Sequence, residues 1–96
     1  MNVIYLSPGF PAEMPLFVRG LAKIGAKVYG VGDQPKQALP EDARAGLTDY
    51  LQVRSFGDEA AVVAQVRKWM HGKSIDRVEC MWERLMYLAA TLRETF

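Results

Sequence analysis

One carboxylate and one turn hold most of the chemistry that this sequence offers. Glu83 directly follows the run DRVECMW (Asp76–Trp82) and opens the last periodic segment. Its carboxylate can complement the N-terminus of a helix, or it can bind a polar or cationic group of a substrate, and spacing alone does not separate the two roles. The turn is SPGFPAEMP, in which Ser7, Pro8, Gly9 and Phe10 stand between a short apolar run and a helical pattern. Exposed amides at the start of a helix can hold an anion. A dinucleotide needs more, because three glycines spaced G-x-G-x-x-G let the chain approach the pyrophosphate. Here there is Gly9 alone, and Pro8, Pro11 and Pro15 remove donors. Asp33 stands where a ribose-binding carboxylate would, and without those glycines it reads as a turn residue.

Other spellings of chemistry fail on spacing or order. GKS at Gly72–Ser74 suggests a phosphate loop, but the earlier glycine of that motif falls on Arg67, and the tripeptide lies between a helix and a strand rather than after a strand. His71 is the single histidine and there is no CxxC, which leaves no set of metal ligands. A serine triad can be spelled with Ser7 or Ser55, yet no G-x-S-x-G elbow is present. A phosphoacceptor domain needs acids at the ends of the first and third strands, where this chain has YLS and QVRS. No catalytic residue and no metal ligand is assigned. The lone Cys80 sits in an apolar segment and reads as a buried free thiol in a reducing compartment.

The elements that must position Glu83 and the turn follow from periodicity. NVIYL is a strand ending near Leu6; from Pro15 the pattern Leu16, Val18, Leu21, Ala22, Ile24 is helical, with Gly25 as its stop. AKVYGV is a second strand, and GDQPKQALPEDARAG is a long polar connection with room for one helical turn at PEDARAG. DYLQV is a third strand, GDEAAVVAQVRKWMHG a helix with an acidic start and a basic end, and DRVECMW a fourth strand. The tail helix carries Leu85, Leu88, Ala89, Leu92 and Phe96 on one stripe. Strands alternating with helices imply an α/β, Rossmann-like three-layer sandwich around a parallel sheet of about four strands. In such sheets ligands bind beyond the carboxyl ends of the strands, which is where the turn and Glu83 fall.

Composition narrows the partners. The 96 residues are half hydrophobic and 24% charged with a net charge of +1, and no run of Lys or Arg occurs, so neither nucleic acid nor an anionic membrane surface is expected as partner. No stretch approaches the ~20 apolar residues of a membrane span, and the N-terminus lacks a basic leader; the expected location is cytoplasmic.

The opening strand with its Pro/Gly turn, the middle TDYLQVRSFGDEAAVVAQV and the closing RVECMWERLMYLAATLRETF together resemble the N-terminal, pre-ATP-grasp domain of ATP-grasp ligases, the group that includes biotin carboxylase and carbamoyl phosphate synthetase. The resemblance covers essentially residues 1–96 as a single domain, and it implies a parent that activates a carboxylate as an acyl phosphate and passes it to an amine. ATP and magnesium would then be held by a missing C-terminal ATP-grasp domain and none by this chain, which would supply one wall of the substrate cleft through Ser7, Pro8, Gly9, Phe10 and Glu83. The helical stripe is still running at Phe96, with no Gly, Asn or Pro to end it, which fits a domain cut from a larger enzyme.

Two alternatives stand beside this. NVIYLSPGFPAE also looks like the opening of nucleotide-sugar glycosyltransferases with two Rossmann domains, although the Gly-Gly pair of that family is replaced by MPLFVRG. The chain could instead be a free-standing binding module that forms a homodimer through the last helix, with Trp82, Met86, Tyr87 and Phe96 near the exposed patch. Residues of these types at helical spacing also suit a core.

Overall fold

The computed structural model describes residues 1–96. In chain order it has β1 (Asn2–Leu6), α1 (Met14–Lys23), β2 (Lys27–Gly32), α2 (Glu41–Gly46), β3 (Asp49–Gln52), α3 (Glu59–Trp69), β4 (Arg77–Glu79) and α4 (Met86–Thr95), with single 3-10 turns at Lys36–Ala38 and Glu83–Leu85. The sheet is parallel throughout, in the order β3-β2-β1-β4.

β1 is central because it is apolar on both sides, as a strand sandwiched between helices must be. Its alternate residues divide the core. Val3 and Tyr5 join Met14, Val18 and Val28 beneath α1, while Ile4 and Leu6 join Val62, Val66, Leu88 and Leu92 beneath α3 and α4. Helices therefore cover both faces, which makes the Rossmann-like three-layer sandwich that the alternation of elements predicts. No helix is long and apolar enough to cross a membrane.

The helix ends obey local chemistry. Pro15 lies in the first turn of α1, where a missing N–H costs nothing, and Gly25 takes a φ of +87°, the left-handed conformation that closes a helix. The Asp58 side chain accepts a hydrogen bond from the Ala61 amide at 3.1 Å and so caps α3. In α4 the stripe is buried at Leu88, Ala89 and Leu92, as its spacing predicts, but Phe96 remains 44% exposed at its end.

The fourth strand is shorter than expected. Of the run Asp76–Trp82, Arg77–Glu79 alone pair with β1. Beyond them the Cys80 thiol turns to donate to the Trp82 carbonyl at 3.1 Å and joins the core under α4, so the chain leaves the sheet and enters the turn at Glu83.

Candidate functional site

The carboxyl end of the sheet is built around the turn after β1. The Ser7 amide donates to the Val31 carbonyl at 2.7 Å, and the residue adopts a φ of 58°, a strained conformation for anything but glycine. Its hydroxyl donates to the Phe10 carbonyl, which closes the turn on itself. Pro8 is buried against Gly30, where a Cβ would lie 3.1 Å from the Pro8 ring. Gly9 sits against the β2 connection, and a Cβ there would come within 2.6 Å of the Gln34 side chain and 2.7 Å of Leu39. Lack of a side chain at Gly9 thus permits close packing rather than close approach to a phosphate. The Phe10–Pro11 peptide bond is cis.

Phe10 projects from this braced turn and meets the segment after β4. Its ring stands edge-on to Trp82 with centroids 5.0 Å apart and an interplanar angle of 69°, a favourable arrangement of ring quadrupoles. The Arg84 guanidinium lies 5.4 Å from the centre of the Trp82 ring, within cation–π range. Glu83, between Trp82 and Arg84, is exposed in the first position of the 3-10 turn.

The five residues singled out from the sequence thus divide by role. Ser7 is 5% exposed with its hydroxyl engaged inside the turn, and Pro8 is buried, so these two set the shape of the wall. Gly9, Phe10 and Glu83 reach its surface. Periodicity does not reveal the roles of Trp82 and Arg84 here, and the one available signal is an aromatic beside two charges at the end of a strand. Of the residues expected to form an exposed patch, Met86, Tyr87 and Phe96 are exposed by 47%, 85% and 44%, whereas Trp82 is half-buried against the turn.

A second brace lies on the far side of Gly9. The Tyr50 hydroxyl donates to the Gln34 carbonyl at 2.6 Å, and burial, reinforced by the charge of Asp33, pushes its pKa up to about 12. Burial likewise raises the Tyr5 phenol, whose hydroxyl donates to the Met14 sulfur at 3.4 Å, and raises the Cys80 thiol. A raised phenol pKa in the fold means that the folded chain keeps protons which the unfolded chain has lost, so stability contributed by Tyr50 is whole below pH 10 and falls as pH climbs towards 12. In an ultraviolet titration of the four tyrosines, Tyr50→Phe should remove the ionisation near pH 12 while leaving a later one from Tyr5. Loss of an ionisation near pH 10 instead would show that the Tyr50 phenol is not buried beside Asp33 as described.

The site joins an aromatic platform, a free carboxylate and a guanidinium on one rim, and it pairs no nucleophile with a base. No group of three or more His, Cys, Asp or Glu side chains is placed to hold a metal ion. Comparison of the chain with models of protein families, with curated proteins and with solved structures gives no significant match in any of the three.

Proposed function

We propose that this chain is the substrate-side wall of an ATP-dependent ligase of the ATP-grasp kind, acting in the cytoplasm, with ATP and magnesium bound by a separate C-terminal domain. The observation that supports this is the contact of Phe10 with Trp82, which draws the turn after β1 and the carboxylate of Glu83 to one rim at the carboxyl end of a parallel sheet. In a ligase that passes the acyl group of an acyl phosphate to an amine with release of phosphate, the amine arrives as an ammonium ion and loses a proton before it attacks. A carboxylate suits such a cation, and the exposed Glu83 stands between Trp82 and the Arg84 guanidinium that already lies over the Trp82 ring.

The test is a titration of the chain with ethanolamine as a primary ammonium probe, followed by the side-chain NMR signals of Phe10 and Trp82, and a parallel titration with magnesium and ATP. Ethanolamine should shift both signals, and Glu83→Gln should weaken that response about tenfold, the usual worth of a charged hydrogen bond. Tight magnesium-dependent ATP binding by the chain itself would overturn the proposal, as would an ethanolamine response that Glu83→Gln leaves intact.

A further inference from the structure

β4 pairs with β1 along one side and with no strand along the other. Two cavities flank it. One of 430 Å³ opens at its free edge beside Val78, Arg93 and Phe96, and one of 540 Å³ opens on the sheet face beside Tyr5, Leu16, Phe17 and Met81. Arg77 and Glu79 line both, so α1 does not extend over this end of the sheet. Leu16, Phe17 and Met81 are left 61%, 43% and 53% exposed there.

Uncovered edge strands invite pairing with another chain unless something blocks them. Arg93 donates to the Val78 carbonyl from Nε at 3.0 Å and from Nη2 at 2.8 Å, which satisfies that oxygen in the single chain. Both lone pairs of that oxygen are then in use, so a strand that pairs here takes the place of one of the two Arg93 bonds. The charges beside it are loosely held, since Arg77 and Glu79 are 3.7 Å apart with side chains 64% and 33% exposed. An exposed pair of this kind contributes little by itself.

The order of residues along the strand is what names the partner. Arg77, Val78 and Glu79 read positive, apolar, negative, and such a strand is complementary to its own antiparallel copy. With Val78 on a two-fold axis, Arg77 stands opposite Glu79 of the second copy and Glu79 opposite its Arg77, so the two pairs close into an alternating ring of four charges on one face. A parallel copy in register would set like charges side by side. We propose that two copies of this chain join antiparallel along β4 about an axis at Val78, merging two four-stranded sheets into one. The apolar surfaces of Leu16, Phe17 and Met81 from both copies then lie on the same face, on either side of the seam. This interface does not involve the rim at Phe10 and Glu83 and stands whether or not the ligase reading holds.

Sedimentation velocity over a wide concentration range tests it, with the charges reversed singly and together. The chain should sediment at twice its 10.8 kDa mass as concentration rises. Arg77→Glu should weaken the dimer about tenfold or more, because each of its two symmetric pairs becomes a repulsion, and the double change Arg77→Glu with Glu79→Arg should restore it. Restoration by a second change cannot come from a chain that failed to fold. A wild-type chain that remains at 10.8 kDa at the highest concentration would overturn the proposal and leave the edge to a strand of another kind. So would a dimer indifferent to Arg77→Glu, which would direct attention to the outer face of α4.

Discussion

Leu92→Ala should lower the free energy of unfolding by about 2–5 kcal/mol, the usual cost of emptying a buried leucine site that cannot collapse. Leu92 is fully buried, packed with Leu88 and Ala89 against the α3/α4 side of the sheet, and its neighbours belong to elements that other contacts hold in place. For a domain of 96 residues the total stability is on the order of 5–15 kcal/mol, so the loss is a large fraction of the whole. Urea denaturation measures it. Phe96→Ala, at the exposed end of the same stripe, should cost less than half as much. Equal losses at the two positions would mean that α4 does not dock through Leu92 as described.

Gly30→Val should destabilise the fold by about 1–3 kcal/mol through overpacking, and should also displace the turn that forms the candidate site. A Cβ at Gly30 would stand 2.9 Å from Leu47 Cδ2, 3.1 Å from Pro8 Cγ and 3.2 Å from Tyr50 Cδ1. The leucine methyl can move aside. The proline ring cannot without moving the turn, and the tyrosine ring is tied to the Gln34 carbonyl by its hydroxyl. The strain therefore passes into Ser7–Phe10, and the side-chain NMR signals of Phe10 and Trp82 should shift together with the fall in stability. A destabilised variant with those signals unmoved would show that the turn is held independently of β2.

The candidate site was only partly legible in the sequence. That Ser7–Phe10 and Glu83 belong at the same end of the sheet follows from each standing just after a strand. What a position after a strand does not convey is which side chains reach the surface. Ser7 spends its hydroxyl on the Phe10 carbonyl three residues on, a turn geometry that residue types alone do not dictate, and Gly9 is small because Gln34 and Leu39 crowd it, which depends on where the β2 connection folds back.

The elements themselves are a different matter, because their causes are local. Alternation of apolar residues, Pro15 at a helix start, Asp58 as a cap and Gly25 at a helix end act over four residues or fewer, and the sequence by itself determined the strands, the helices and hence a parallel α/β sandwich. Only the tertiary structure decided how far β4 pairs, that Phe10 meets Trp82, and that Arg77 and Glu79 stand on the edge strand of the sheet. These are contacts between distant parts of the chain. They depend on strand order and register, which packing of the whole core selects and no local period encodes.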